Sequence, residues 1–333
     1  MKTVTLLFRL SRPNENYSIE SSFDQMAASF PENEGFRLQK AYAPYFSNGL
    51  FPRLKIIAWA ARQTGDVFHI TGDIHFVALG LPRRRTVLTV HDCGFLTHPH
   101  PAMRFLLWLF WLKLPVWWCA HVTAVSEATK ADIIRHTGCP PEKIAVIPTV
   151  IKSLFCRVDK PFNGAKPLVL HIGCTPNKNL LRHIDALAGL PVALHVIGQL
   201  NAEQSNALRH SGLEYRNSTG LSDEAMLDAY AEADIVLFAS TFEGFGMPIL
   251  EAQTVGRPVV TSDCSSMPWV AGEGACLVDP FNVASIRAGL ERVIGDAAYR
   301  STLVETGFRN VARFGASAVG RAYARVYQLA GSV

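Results

Sequence analysis

Short apolar runs alternate with stretches of helical spacing along nearly the whole chain. In the first half, Thr3–Phe8, Val67–Thr71, Thr86–His91, His121–Val125 and Ile144–Pro148 read as buried strands. A second series follows at Pro167–Ile172, Ala193–Gly198, Ile235–Ala239, Arg257–Thr261 and Ala275–Val278. Segments such as Glu127–His136 and Asp223–Ala233 carry apolar residues at the period of a helix. Strands alternating with helices predict βαβ units and parallel sheets.

The pattern lapses at residues 149–164, around Lys160-Pro161-Phe162-Asn163-Gly164, and this gap separates the two series. The expected class is therefore α/β, with two Rossmann-like parallel-sheet domains facing a cleft. Residues 1–158 would form the first domain and 159–312 the second. Val319, Ala322, Tyr323, Val326 and Tyr327 give residues 307–328 an amphipathic face. The segment 313–333 is expected to pack as a helix back on the first domain. No internal repeat or low-complexity tract interrupts the pattern.

A length of 333 residues fits two domains of about 150 residues each. The seven cysteines include no CxxC pair, which predicts free thiols and a reducing compartment rather than disulfides or a zinc site. Met1–Phe8 has the pattern of a first strand, without the apolar core and cleavage site of a signal peptide. Localisation is expected in the cytoplasm, with the inner face of the cell membrane as an alternative. Charge is uneven: residues 1–158 hold 18 Lys and Arg against 11 Asp and Glu, +7, and the remainder carries −3. A basic first half fits an anionic membrane or acceptor, or ordinary variation between two surfaces. No nucleic-acid motif accompanies it.

In open parallel sheets, ligands bind beyond the carboxyl ends of the strands. The richest such position is ADIVLFASTFEGFGMPILEAQTVGRPVV. A strand ending near Ala239 leads into Glu243-Gly244-Phe245-Gly246-Met247-Pro248, then into a helix carrying Glu251. The glycines allow close backbone approach, and the helix N-terminus suits a diphosphate. Glu251 is placed to accept hydrogen bonds from a diol such as a ribose, and Glu243 to reach a sugar hydroxyl.

The stretch EGFGMPILE resembles the two-glutamate signature of family 4 glycosyltransferases, which have the GT-B fold. Ala233-Asp234 and Gly256-Arg257-Pro258-Val259-Val260 flank it as they do in that family. The resemblance extends to Leu88-Thr89-Val90-His91-Asp92, which is similar to the family's histidine–aspartate pair, and to Ala124-Val125-Ser126-Glu127, with Ser126 as a helix cap. It also covers Gly173-Cys174-Thr175-Pro176-Asn177-Lys178-Asn179. It implies a donor site formed by Gly173, Lys178, Asn179, Glu243, Gly244, Phe245, Gly246, Met247, Pro248 and Glu251. His91, Glu243 and Lys178 would serve the transfer step, with Lys178 on the diphosphate, alone or helped by Arg182, and Asn179 capping the next helix. Asn16, Tyr17, Thr71, Asp73 and Asp92 are expected on the acceptor side, although Thr71 and Asp73 read equally well as parts of a turn.

Two positions depart from the family pattern: Cys174 stands where a basic residue is common, and Trp269 where a glutamate is usual. No Asp-x-Asp occurs in the chain. Neither a metal nor another cofactor is therefore expected, and fixed protein charge would stabilise the leaving group. The reading implied is a retaining hexosyltransferase. Its donor is a nucleoside-diphosphate sugar, with GDP-mannose favoured, and its acceptor a saccharide or lipid-linked saccharide of a surface polysaccharide or glycolipid. A sugar-nucleotide 2-epimerase and a non-catalytic sugar-nucleotide-binding protein are the alternatives. The run Phe105–Trp118 holds four of the six tryptophans. Lys113 and Pro115 break it and it is too short to span a membrane. It reads either as a core helix or as a peripheral membrane contact assisted by Arg83-Arg84-Arg85.

Overall fold

The computed structural model describes residues 1–10 and 18–332. They divide into two units, residues 1–150 with 314–333, and residues 151–313. In the first unit six parallel strands run in the order β2-β1-β3-β4-β5-β6. They are β1 (Lys2–Phe8), β2 (Phe36–Tyr42), β3 (Val67–Ile70), β4 (Thr86–Val90), β5 (His121–Ala124) and β6 (Ile144–Val146). The accompanying helices are α1 (Ser18–Ala28), α2 (Leu50–Ala60), α3 (Pro101–Leu107), α4 (Leu114–Trp118) and α5 (Glu127–Thr137). A π-helical turn, Trp108–Lys113, joins α3 to α4.

The second unit contains β7 (Leu168–Ile172), β8 (Ala193–Ile197), β9 (Glu214–Ser218), β10 (Ile235–Phe238), β11 (Val259–Ser262) and β12 (Cys276–Val278). Their order is β12-β11-β10-β7-β8-β9, again parallel throughout. Its helices are α6 (Leu180–Leu187), α7 (Ala202–His210), α8 (Asp223–Glu232), α9 (Met247–Val255), α10 (Met267–Ala271), α11 (Val283–Gly295) and α12 (Ala297–Val311). The last helix, α13 (Ala316–Gly331), belongs to the first unit and packs on α1, β3 and β4.

Central strands are buried along their length because helices cover both sheet faces, so β3, β4 and β10 are runs of apolar residues and threonine with one histidine. Two strands were not predicted, β2 (FRLQKAY) and β9 (EYRNS). Both are sheet edges with mostly exposed side chains, so their sequences carry no apolar run.

The predicted break at 158 moves to 150 for a specific reason. Phe155 stands edge-on to Tyr230 at 5.6 Å, Lys152 pairs with Asp223 at 2.6 Å, and the Val158 N–H donates to the Val255 carbonyl. Arg257 also donates to the Val158 carbonyl, so residues 151–158 are bound into the second unit. The single helix predicted over 307–328 is two helices, separated by a 3-10 turn at Ala312–Phe314 and by Gly315. Tyr323 and Tyr327 of α13 are buried against the first sheet. There the Tyr327 hydroxyl meets His69 Nδ1 at 2.8 Å and His69 Nε2 meets Thr89 Oγ1 at 2.7 Å. Burial drives the His69 pKa down to about 3, so the ring is a neutral structural element.

Each sheet reverses its strand order once. In the second unit the chain runs outward through β7, β8 and β9, then returns to place β10 beside β7 and continues to β12. In the first unit the reversal lies between β1 and β3. Such reversals open a crevice beyond the carboxyl ends of the two diverging strands.

Candidate functional site

At the β7/β10 reversal, β7 is followed by Gly173, whose φ is +90°. A Cβ there would stand 2.9–3.1 Å from the aliphatic carbons of Lys178, so only glycine lets that side chain lie across the strand end. Pro176–Lys178 makes one 3-10 turn. Asn179 follows with φ +65°. It stands at the N-terminus of α6 but makes no cap bond, contrary to expectation. Its Nδ2 instead donates to the carbonyls of Ala239 (3.0 Å) and Pro280 (2.7 Å), fastening the β7 loop to the β10 and β12 loops.

The turn aims Lys178 across the reversal. Its Nζ donates to Glu243 Oε1 at 2.6 Å and lies 4.7 Å from the centroid of the Phe238 ring. Asn177 Nδ2 reaches the same carboxylate oxygen at 3.3 Å and the Phe242 carbonyl at 3.0 Å. Arg182, the candidate second cation, is turned away. It donates to Asn179 Oδ1 at 2.9 Å and faces the Phe281 ring.

The loop after β10 is held from below by two serines. Ser265 exchanges hydrogen bonds with the backbone of Glu243, and Ser266 Oγ reaches the carbonyls of Glu243 (2.9 Å) and Phe245 (2.6 Å). Gly246, at φ +111°, starts α9, with Met247 and Pro248 in its half-buried first turn. No side chain caps α9; Pro248 has no N–H and the Ile249 N–H donates to the Gly246 carbonyl, so it is the Met247 N–H that keeps its capacity for an anion. Trp269, unexplained by the family pattern, stands edge-on to Phe245 at 6.3 Å and stacks with the Arg313 guanidinium at 5.5 Å. It braces the Gly244–Gly246 loop by packing, where a glutamate would offer charge.

Glu251 is in the second turn of α9. Tyr230, a fully buried residue of α8, donates its hydroxyl to Glu251 Oε2 at 2.6 Å. Burial raises the carboxyl pKa above its ordinary value, while the Tyr230 bond lowers it in part. Behind β7, His171 Nδ1 meets His183 Nδ1 at 2.9 Å, and their Nε2 atoms face the carbonyls of Gly173 and Ala239. Three contacts need three hydrogens and two neutral imidazoles supply two. Desolvation lowers both pKa values, His171 to about 4, so at neutral pH one contact is made without a hydrogen.

In the first unit, His91 follows β4. Its Nε2 lies 2.7 Å from the Thr71 carbonyl, which can only accept, so the hydrogen is on Nε2 and Nδ1 of the neutral ring is an acceptor. Gly72 gives the ring room, since a Cβ there would come within 2.8 Å of it. Ser126 caps α5 as expected, accepting from the Thr129 N–H at 3.1 Å. Thr71 does not line an acceptor face: its buried hydroxyl donates to the Leu7 carbonyl at 2.9 Å. Asp92 accepts from the Gly94 N–H at 2.7 Å and shapes its own turn. Asn16 and Tyr17 lie outside the described residues.

Asp73 is different. It has φ +54° and forms an ion pair with Arg9, which follows β1, so this pair bridges the β1/β3 reversal. Beside the pair is a cavity of about 280 Å³ lined also by Leu10, Tyr45, Phe46, Ser47, Ile74, Phe95, Leu107 and Trp111. Sequence reading missed Arg9, this cavity, Tyr230, Asn177 and the two serines. Each acts through a partner distant in the chain; position after a strand could have flagged Arg9, Asn177 and the serines, and nothing local flags Tyr230, which lies within α8.

Comparison with known proteins decides the family. The model described as Glycosyltransferase Family 4 matches residues 25–152, and that described as Glycosyl transferases group 1 matches residues 166–296. Together they cover both units. The chain is a family 4 glycosyltransferase of the GT-B fold. This glycosyltransferase is 28% identical over 297 residues to O-antigen chain mannosyltransferase B of Escherichia coli, covering 80% of this chain and 74% of that one. It is 26% identical over 343 residues to the MMP alpha-(1->4)-mannosyltransferase of Mycolicibacterium hassiacum, covering 91% and 77%. Its fold matches the sucrose-phosphate synthase of Thermosynechococcus elongatus (TM-score 0.77, 17% identity, 98% of each chain). It also matches Anabaena HepE in complex with UDP-glucose (TM-score 0.75, 17% identity, 97% and 98%).

Proposed function

We propose that this glycosyltransferase moves a hexose, mannose from GDP-mannose in the first instance, onto a saccharide or lipid-linked saccharide acceptor in surface polysaccharide or glycolipid synthesis. The observation that carries the donor reading is the β7/β10 reversal, where Lys178, Gly173 and the uncapped N-terminus of α9 lie beyond adjacent strands. A lysine and a free backbone N–H are what a diphosphate leaving group requires. The choice of mannose rests on the relatives' names. HepE, which holds UDP-glucose, makes UDP-glucose the natural competitor in the test.

Chemistry would proceed with retention. Glu243 is tied to Lys178 and Glu251 to Tyr230, an arrangement suited to holding donor hydroxyls rather than to attack on the sugar carbon. The acceptor oxygen would attack from the face the diphosphate leaves, and the departing phosphate would take its proton. Fixed protein charge would serve in place of a divalent cation. The Arg9–Asp73 pair and the rings of Tyr45, Phe95 and Trp111 make the first-unit cavity the acceptor candidate, since aromatic faces and fixed polar groups suit a sugar ring.

A panel of sugar nucleotides, screened by melting temperature in EDTA, tests the donor. A true donor at about 100 times its Kd stabilises by about 2.7 kcal/mol. GDP-mannose is expected to give the largest shift, and turnover of that donor is expected to survive chelation and yield the retained anomer by NMR. A larger shift with UDP-glucose would replace the donor. Activity lost in EDTA and restored by magnesium, or an inverted product, would replace the mechanism.

For His91, Nδ1 is proposed to accept from a sugar hydroxyl during transfer. His91→Gln is expected to lower kcat about tenfold, the loss of one hydrogen bond at the upper end of the neutral range, with donor affinity unchanged. An unaltered kcat would leave His91 a structural residue that only holds the Thr71 turn.

A further inference from the structure

The first unit exposes large apolar side chains at one edge of its sheet. On α2, Leu50 (67% exposed), Phe51 (77%) and Leu54 (51%) share a face with Lys55, while Ile56 and Ala60 point into the core. On α3 and the π-helical turn, Met103, Phe105 (56%), Leu106 and Phe110 are exposed. The two segments meet around the cavity. Tyr45 and Phe46 line it ahead of α2, Leu107 and Trp111 line it from the other segment, and the Arg53 guanidinium lies 4.5 Å from the Trp111 ring centroid. Single exposed apolar residues are ordinary, but a surface of this extent marks an interaction face.

The two segments are basic. Residues 42–60 and 94–118 contain Arg53, Lys55, Arg104 and Lys113 and no aspartate or glutamate. The face also has a defined place in the fold. Both α2 and α3 begin after the carboxyl ends of their strands, β2 and β4, on the edge where the cavity lies. Arg83-Arg84-Arg85 immediately precedes β4, at the opposite, amino edge. Trp118 is also there, donating to the Leu81 carbonyl at 3.0 Å. At this amino edge Trp118 stands near the arginine cluster, the pairing that the sequence offered as the alternative to a core helix. The indole N–H groups of Trp108, Trp111, Trp117 and Trp118 all donate to backbone carbonyls, so the rings are fixed parts of the unit. Trp117 (43% exposed) and Trp118 (38%) add exposed apolar surface at the end of this segment, whereas Phe105, Leu106 and Phe110 expose theirs together with α2.

We propose that this carboxyl-edge face, Leu50, Phe51 and Leu54 with Phe105, Leu106 and Phe110, docks on an anionic lipid bilayer. The apolar side chains enter the interface, and Arg53, Lys55 and Arg104 meet lipid phosphates. The inference deepens the acceptor reading, because the cavity lies within the docked face and a lipid-linked saccharide would be presented to it. It does not depend on the donor.

Flotation of the full chain with vesicles tests it, using phosphatidylcholine alone or mixed with phosphatidylglycerol. Binding to the mixed vesicles, weakened by salt and near absent on phosphatidylcholine alone, is expected. Phe51→Ser with Phe105→Ser should reduce partitioning at least about tenfold. Lys55→Gln and Arg104→Gln should each reduce it about fivefold. Arg83→Gln with Arg84→Gln, on the opposite edge, should leave it unchanged. The substituted residues are exposed, so melting temperatures should match wild type, and the charge variants keep the test intact if a serine variant unfolds. Failure of the wild type to float overturns the proposal, as does equal binding to both vesicles or full binding by the Phe51→Ser/Phe105→Ser chain. A dimer in the absence of lipid that these two substitutions dissociate would assign the face to a second copy and equally overturn it. Turnover of the nucleotide sugar, assayed without lipid, reports separately on the donor reading.

Discussion

Lys178→Ala is expected to weaken nucleoside-diphosphate binding about ten- to a hundredfold, the equivalent of about 1.5–3 kcal/mol for a charge-assisted hydrogen bond. The geometry gives the loss two parts. The ammonium that would face the diphosphate is removed, and the Glu243 carboxylate, paired with it at 2.6 Å and only 14% exposed, is left without its counter-charge beside an anionic ligand. A double-mutant cycle with Glu243→Gln separates them. Glu243→Gln alone removes the counter-charge while keeping a polar side chain, and so should cost less nucleotide affinity. Combining it with Lys178→Ala should recover part of the loss by removing the repulsion. Calorimetry with GDP reads all four chains. Unchanged affinity in Lys178→Ala would remove the diphosphate from this position. Additive effects would show that the Lys178–Glu243 contact is incidental.

Tyr230 gives the second large effect, in two forms. Its ring is fully buried between Phe155 and the body of the second unit, so Tyr230→Ala is expected to destabilise by about 3–5 kcal/mol. Tyr230→Phe keeps the packing and removes the hydroxyl that Glu251 Oε2 accepts. The carboxyl, raised by burial and lowered by that hydroxyl, should rise further. A carboxyl pKa raised on folding means that the native state holds its proton more firmly than the unfolded chain. Its contribution to stability is therefore greatest below the unfolded value and falls as pH rises from the ordinary 4.5 through the folded value. Tyr230→Phe should extend that fall to higher pH. It should cost about 1–3 kcal/mol near neutrality, as expected for a buried acceptor without its donor, and should weaken the donor ribose contact proposed for Glu251. Urea unfolding across pH, paired with donor calorimetry, measures both. A Phe variant equal to wild type in both would show that the Tyr230–Glu251 bond has no part in holding the site.

The motif EGFGMPILE was legible as a strand–loop–helix element because a glycine-rich turn between a buried strand and a helix is a local arrangement. The same was true of Lys178, one turn beyond β7, and of Ser126, whose cap bond spans three residues. Asn179 was read as a cap for the same local reason. Its left-handed backbone and bonds to Ala239 and Pro280 depend on loops 60 and 101 residues away. Thr71, which follows a strand, read equally as an acceptor contact and as part of a turn, and its hydroxyl is consumed by the neighbouring β1. Trp269 had no sequence rationale until Phe245 and Arg313 were found against it.

Taken alone, the sequence determined the class of fold, two series of buried parallel strands, and the place of the glycine-rich loop between a strand and a helix. Burial on both sheet faces leaves a periodic apolar trace, and glycines beside a helix start leave a local one. The edge strands β2 and β9 left no such trace, because one-sided pairing lets their side chains stay polar. Tertiary structure alone decided which residues meet at the reversals: Lys178 with Glu243, Arg9 with Asp73, and Tyr230 with Glu251. It also decided which backbone carbonyls hold the four indoles of residues 108–118. These outcomes depend on strand order and on the edge at which each loop emerges. Periodicity along a chain specifies which face of an element is apolar, but not which strand will lie beside it.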